Sequence, residues 1–350
     1  MTELDEKNST ETEKNYKILF NFHHSITDGF SSCRIIGHFM NALNDVLMDE
    51  QIDDSKQLAL LANFELEMTE KFTEIFSIFE NNPIEKECLT KSIENLKCVV
   101  LTLKLIPQND TTVQPTTFNI RHNFTVEQTR ELLSLCTEKG VTFHAMFSTI
   151  AHTALFKILK DAGLKESKMK MVSRHSVNMR RYFKTDSGSL EKFGPGFLLF
   201  ETATTLHPKL DFWDQCLAYH NEFHSSLKNE IPLKQAVIRF SQGSGSDNTD
   251  WEDTSPKHYY DTTNMGECTQ ILTGNFARRD HLPEHLKKVV LTDFCRTTSN
   301  HTMGVSCSHV LQTFKGRLLY SLDYNINHMA AKTAQKYVAK IVQVAENLVL

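Results

Sequence analysis

In the stretch NFHHSITDGF, Asn21 to Phe30, two adjacent histidines precede an Asp-Gly pair, with His24 four residues before Asp28. A neutral imidazole has the side-chain pKa closest to working pH, so a rigidly presented His can take a proton from an attacking hydroxyl or amine. The Asp28-Gly29 pair suits a tight turn: Gly permits a positive φ, and an Asp beside a helix N-terminus accepts from unsatisfied amide groups. The chain has 16 His, and a single one would ordinarily be a surface or packed residue. What distinguishes His23 and His24 is the whole string HHSITDG. Metal binding is disfavoured, because adjacent His residues with no third ligand at recognisable spacing do not make a metal site. Nucleophilic catalysis has little support either. No G-x-S-x-G elbow occurs, and SQGSGS is a polar loop with no strand feeding it. Cys33 lies three residues before Ile36 and seven before Met40, on an apolar helical stripe where core packing is the expected role.

The elements that must position the histidines follow from periodicity. YKILFNF, residues 16–22, alternates apolar and polar side chains as a strand does, with Tyr16, Ile18, Phe20 and Phe22 on one face. After the Asp-Gly pair, Ile36, Phe39, Met40, Leu43, Val46 and Leu47 recur at helical spacing over SSCRIIGHFMNALNDVLM. The motif therefore belongs at a strand-to-helix junction. Residues 51–98 read as a charged, loosely helical crossover broken at Pro83. Beyond them, Phe118, Ile120, His122 and Phe124 alternate as a strand, followed by a helix capped by Thr125 with Gln128 three residues on and stopped at Gly140. A second helix begins after Thr142, with Phe143, Met146, Phe147, Ile150, Ala154, Leu155, Ile158 and Leu159 as its buried stripe. Strands are expected at KMVSRHSVNM, FLLFETATTL, YYDTTNM, VVLTDFC, MGVSCSHVLQTF and RLLYSLDYN, with helices at DFWDQCLAYHNEFHSSLK and AAKTAQKYVAKIVQVAENLVL. Runs of strands mixed with helices indicate an α/β protein of mixed-sheet, α+β-like type. The polar, Gly- and Ser-rich stretch 241–257 is expected to be a mobile surface loop.

Bulk properties restrict the function. The 350 residues carry a formal charge of -5, with 40% hydrophobic and 23% charged side chains, an ordinary globular composition. No basic stripe interleaves with aromatics, so nucleic-acid binding is not expected. No apolar run reaches the length of a membrane span. Eight scattered cysteines without C-x-x-C spacing read as reduced, mostly buried thiols of a cytoplasmic protein. Residues 1–14 are polar and acidic, unlike a targeting peptide, and are expected to form a disordered tail.

His23-His24-Ser25-Ile26-Thr27-Asp28-Gly29 resembles the HHxxxDG signature of the superfamily that contains condensation domains, alcohol acyltransferases and wax-ester synthases, the acyltransferases of chloramphenicol-acetyltransferase-like fold. VSRHSVNMRRYF followed by FGPGFLLFE, then TTNMG, then the closing strand pair and terminal helix resemble later segments of that superfamily in order, so the resemblance spans roughly 16–350. It implies a two-subdomain sandwich and acyl transfer from a thioester, acyl-CoA or a phosphopantetheine arm as co-substrate with no bound cofactor, to a small-molecule alcohol or amine. His24 is then the general base and His23 orients the site. Asp28 and Gly29 are structural, with Asp28 expected to pair with Arg180, or failing that Arg181, and Asn264 lines the site. The chain departs from the pattern in having one strand ahead of the motif and in lacking the plant-type DFGWG motif. This implies an incomplete first subdomain: a tail at 1–14, a remnant with the motif and crossover at 15–100, and an acyltransferase-like subdomain at 101–350. A partner chain covering the incomplete first sheet is expected. The same residues admit two other readings, a truncated non-catalytic interaction module and an amide-forming condensation domain of peptide-synthetase type.

Overall fold

The computed structural model describes residues 2–3, 14–47, 65–96, 105, 116–183, 193–242, 258–273, 289–299 and 305–349. The chain divides into two compact units, one of Met1–Phe64, Glu191–Gly196 and Gln270–Val290, the other of Glu65–Leu190, Phe197–Thr269 and Leu291–Leu350. Residues 65–96, expected with the motif as an N-terminal remnant, fall in the second unit.

In the first unit, β1 (Thr2–Glu3), part of the expected tail, pairs antiparallel with β2 (Tyr16–Lys17). The strand expected over 16–22 is thus a two-residue strand, because a ladder needs a partner and among the described residues only Thr2–Glu3 supplies one. The alternation survives as packing: the Phe20 and Phe22 rings stack with centroids 6.2 Å apart, and Phe20 meets Phe39 edge-on at 5.2 Å. Helix α1 runs Gly29–Leu47, and its buried face keeps Cys33 and Met40 of the expected stripe but otherwise departs from it. Ser31, Cys33, Gly37, Met40 and Asn44 are buried, whereas Phe39, Val46 and Leu47 are exposed. Small and polar residues are favoured on that face by close backbone approach. A Cβ on Gly37 would stand 2.5 Å from the Ile271 carbonyl oxygen, and the Asn44 side chain brackets Val289 by donating to its C=O (3.0 Å) and accepting from its N–H (2.8 Å).

The second unit carries helices α2 (Glu65–Asn81) and α3 (Pro83–Leu96), the latter starting at the predicted Pro83 break. Strand β3 (Thr117–Asn123) leads to α4 (Val126–Glu138), whose Thr125 and Gln128 form both bonds of a capping box. Gly140 ends α4 at φ 66°, with the N–H of Val141 reaching back to Cys136 O (2.9 Å) and that of Gly140 to Thr137 O (3.2 Å), a Schellman closure. Helix α5 (Phe143–Asp161), strand β4 (Met169–Asn178), a 3₁₀ turn at Met179–Tyr182, strand β5 (Phe197–Leu206) and helix α6 (Phe212–Lys228) follow. A helix that the periodicity did not reveal, α7 (Ile231–Ser241), starts with Pro232 in its first turn, where its missing N–H costs no helical bond. Then come β6 (Tyr260–Glu267), the short helix α8 (Thr269–Thr273), which apart from its first residue falls in the first unit, β7 (Cys307–Phe314), β8 (Arg317–Asn325) and α9 (Ala331–Val349).

The six strands form one mixed sheet in the order β3-β8-β7-β6-β4-β5, with β4-β6 and β6-β7 parallel and the rest antiparallel. Helices α4, α5, α6 and α9 pack together over it, and α7 packs on β5 with α2 and α3 against it. The apolar inner faces of α5 and α9 and the inward positions of the strands form the core. VVLTDFC makes no strand: residues 291–299 cross the sheet as irregular chain, held by side chains instead of a ladder. Arg121 pairs with Asp293, Arg296 Nε donates to Gln312 at 3.1 Å, and Thr297 Oγ1 donates to Asp323 at 2.8 Å. Part of the loop expected at 241–257, Cys98, and much of the tail lie outside the described residues. Of the described cysteines, Cys33, Cys136, Cys216, Cys268 and Cys307 are buried and Cys88 and Cys295 exposed, all as free thiols.

Candidate functional site

The HHSITDG string folds into a turn that ends at the N-terminus of α1. The Ile26 N–H donates to the His23 carbonyl at 3.1 Å, and Asp28 is the N-cap, its Oδ1 accepting from the Ser31 N–H at 2.8 Å. Its second oxygen accepts from the Gly196 N–H at 2.9 Å. Ser31 Oγ is 3.1 Å from both the N and the O of Gly194, accepting from one and donating to the other. Asp28 and Ser31 thereby clamp the FGPG segment, 193–196, onto the first turn of the helix. Gly194 adopts φ 133° to fit, and Phe193 lies under the Arg34 guanidinium at 4.7 Å. Asp28 is buried and Gly29 simply opens the helix, without the positive φ expected for it.

The two histidines are both exposed but differ in chemistry. His24 Nδ1 lies 2.8 Å from the Thr27 carbonyl oxygen. A carbonyl only accepts, so Nδ1 carries the proton and the lone pair of the neutral ring lies on Nε2. His23 is the reverse: its Nδ1 accepts from the Ser25 N–H at 3.3 Å and from the Ser25 hydroxyl at 2.7 Å, placing the proton of the neutral ring on Nε2. Of the two, only His24 presents a basic Nε2, the nitrogen farther from the backbone.

The remaining expected residues are in the second unit. Arg180 is 2% exposed in the 3₁₀ turn, where its backbone N–H (3.0 Å) and Nη1 (3.3 Å) both donate to Asn178 Oδ1. Asn264 sits at a register shift in β6, and its Oδ1 accepts from the Gly266 N–H at 2.9 Å, which shapes the bulge.

Two polar arrangements in the second unit were missed from sequence. The first is a buried layer between α5, α6 and the sheet. His144 Nε2 and His175 Nδ1 are 3.1 Å apart, while His175 Nε2 meets Ser173 Oγ and Tyr219 Oη, each at 2.9 Å. His309 bonds Tyr320 Oη (3.1 Å) and Tyr337 Oη (3.2 Å). Desolvation by burial pulls the imidazoles down, His144 to about 4, His152 and His309 to about 3, and His175 well below its ordinary range. The signal was available: His144 and His152 interrupt the apolar stripe of α5, and His175 and His309 fall on inward strand positions.

The second is a row at one register through all six strands, Glu201, Arg174, Asp261, Ser308, Asp323 and Asn119. Arg174 grips Asp261 with two bonds of 2.6 and 2.8 Å. Glu201 accepts from Arg239 and from His258 Nε2, the latter at 3.0 Å. Burial pushes its carboxyl up, but His258, Arg239 and Arg174 together outweigh that and hold it below the ordinary range. Asp323 accepts from Asn119 (2.6 Å), Thr297 (2.8 Å) and the Thr298 N–H (2.7 Å), yet burial still raises its pKa. A cleft of about 460 Å³ opens beside edge strand β5, between α3, α6 and α7, with Phe200, Tyr219 and Phe223 among its lining residues. Among the described residues, no group of three or more His, Cys, Asp or Glu is arranged to hold a metal ion, and no helix is long and apolar enough to cross a membrane.

No family model and no curated protein matches the sequence. Solved structures do match. The epimerization domain from the third module of tyrocidine synthetase B aligns with a TM-score of 0.64 at 12% identity, over 93% of this chain and 67% of its own. The TRI3 trichothecene 15-O-acetyltransferase from Fusarium sporotrichioides aligns with a TM-score of 0.58 at 13% identity, over 91% of this chain and 64% of its own. The condensation domain of the Monacolin K polyketide synthase MokA aligns with a TM-score of 0.61 at 9% identity, over 94% and 68%. The chain thus spans about two thirds of the length of these proteins. Their shared architecture, a mixed α/β fold with the six-stranded sheet described above, gives this chain the chloramphenicol-acetyltransferase-like fold of condensation domains and acyltransferases.

Proposed function

We propose that the chain is an acyltransferase that moves an acyl group from a thioester, acyl-CoA or a phosphopantetheine thioester, to an alcohol or amine, with His24 Nε2 as general base. The observation that carries this reading is the bond from His24 Nδ1 to the Thr27 carbonyl, 2.8 Å, which leaves the neutral ring basic at Nε2, within a turn fixed by the buried Asp28 cap. Acyl transfer from a thioester asks little more of the protein. The carbonyl is already activated and the thiolate leaves readily, so one oriented base that deprotonates the acceptor, with dipoles placed for the developing oxyanion, suffices without a covalent nucleophile. The proton taken by Nε2 can be returned to the departing thiolate, closing the cycle. In this reading Asp28 and Ser31 are positioning residues: they hold the turn and the FGPG segment as one piece, and so fix where the His24 ring stands. The fold shared with an O-acetyltransferase and a condensation domain supports the reaction class.

The test is product formation. Full-length chain is incubated with mixed short and long acyl-CoA donors and pooled alcohol and amine acceptors, and acylated products are sought by mass spectrometry. Products from the parent chain and none from His24→Ala support the proposal. No product from a folded, monodisperse parent chain contradicts it and favours the non-catalytic alternative.

A further inference from the structure

Three side-chain atoms in the buried layer of the second unit have no hydrogen-bonding partner among the described residues: His152 Nε2, Tyr260 Oη and Thr262 Oγ1. Their residues are 2%, 0% and 0% exposed. His152 projects from the inner face of α5, and Tyr260 and Thr262 occupy alternate positions of β6, hence one face of the sheet. The His152 and Tyr260 rings are 5.6 Å apart between centroids. Thr262 is in register with His175 on one side and His309 on the other. All three therefore belong to one polar layer.

The neighbouring polar groups are already committed. His175 bonds through both nitrogens, to His144 on one side and to Ser173 and Tyr219 on the other. His309 bonds Tyr320 and Tyr337. Ser173 Oγ lies near enough to Tyr260 to favour its phenolate but outside hydrogen-bonding geometry, being engaged with His175 at 2.9 Å. Roughly 90% or more of buried polar groups in native proteins are hydrogen-bonded, to protein or to ordered water, so three orphans converging in one layer require a common explanation.

We propose that this layer is a binding site for ordered water, with one molecule shared by His152 Nε2 and Tyr260 Oη, and the Thr262 hydroxyl satisfied by it or by a neighbour. Water fits the donor set because it both donates and accepts, as an imidazole nitrogen and two hydroxyls demand, and it needs only two to four polar partners. Tyr219, bonded to His175, is also among the residues lining the cleft beside β5, so one residue separates the layer from the cleft. The bound water ties α5 to β6, beside the His144–His175 bond that joins α5 to β4.

The test uses the sign of a stability change. Tyr260→Phe in the full-length chain deletes the hydroxyl and little else. If Tyr260 Oη is an orphan, its removal strengthens folding. If it holds water, its removal strands the water and His152, and weakens folding. Urea unfolding should show the folding equilibrium constant of the variant reduced about fivefold or more. A Tyr260→Phe chain as stable as its parent, or more stable, overturns the proposal. A high-resolution crystal structure of the parent should also show a solvent peak within about 3.2 Å of both Tyr260 Oη and His152 Nε2, and dry density there likewise overturns it.

Discussion

Acidification from pH 7 to pH 5 should remove most of the stability of the second unit. The imidazoles of the histidine layer titrate near 6.5 in the unfolded chain, whereas desolvation holds His144 at about 4, His152 and His309 at about 3, and His175 well below 6.5. Their folded pKa values are depressed, so their contribution is fully present above 6.5 and is lost as pH falls through 6.5 toward the folded values. At pH 5 the rings remain neutral in the folded state and are charged in the unfolded one. Each then favours unfolding by about 1.4 kcal/mol per pH unit over about 1.5 units, or ~2 kcal/mol. His144, His152 and His309 together give roughly 6 kcal/mol, to which His175 adds with the same sign, against about 5 to 15 kcal/mol for the whole stability of a typical domain. Glu222 and Asp323, whose pKa values burial raises, pull the other way, but they are two against four and are carboxylates whose ordinary values lie below this window. The assay is urea unfolding followed by far-UV circular dichroism at pH 7, 6 and 5, repeated on His152→Leu, which should lose less stability than the parent by about one quarter. A parent free energy that changes by less than about 1 kcal/mol between pH 7 and 5 would refute the reasoning, since a single such histidine predicts more.

Other substitutions probe the scaffold of the site. Asp28→Ala removes the cap of α1 and the acceptor of the Gly196 N–H; thermal unfolding should show a loss of about 1 to 2 kcal/mol, with acyl transfer falling alongside, and unchanged melting would argue against the clamp. Gly37→Ala drives a Cβ to 2.5 Å from the Ile271 carbonyl and should cost about 1 to 3 kcal/mol by urea titration, a neutral result showing that α1 does not approach that backbone. Thr125→Ala removes the hydroxyl that accepts from the Gln128 N–H, one of the two bonds of the capping box on α4, with an expected loss of about 0.5 to 2 kcal/mol in the same measurement.

How far the sequence could be read depended on whether the determining physics was local. The Thr125-Gln128 box, the Gly140 stop and the strands at Phe197–Leu206 and Arg317–Asn325 were legible because caps, turns and alternation are written in adjacent residues. The α1 interface was misread because hydrophobicity pointed to Phe39, Val46 and Leu47, while the buried face is set by what Gly37 and Asn44 touch hundreds of residues away in the chain. VVLTDFC alternates like a strand, yet the segment is held to the sheet by side chains, those of Asp293 within it and of Arg296 and Thr297 just beyond it, instead of by a ladder. Within the site, the string HHSITDG and the capping role of an Asp could be read directly. The opposite tautomers of His23 and His24 could not, because they depend on which backbone atoms the turn presents. The buried histidine layer draws on residues 144, 152, 175 and 309, and only the topology β7-β6-β4 beneath α5 brings them together.

The most direct test of the central claim compares His24→Ala with His23→Ala in a thiol-release assay, following acceptor-dependent consumption of acyl-CoA by the full-length chain. With His24 as the base, its removal should slow release by about 100-fold or more, while His23→Ala, which loses only the contacts of a turn, retains most of the activity. Equal rates in the two variants, or a His24→Ala chain as fast as its parent, would contradict the account.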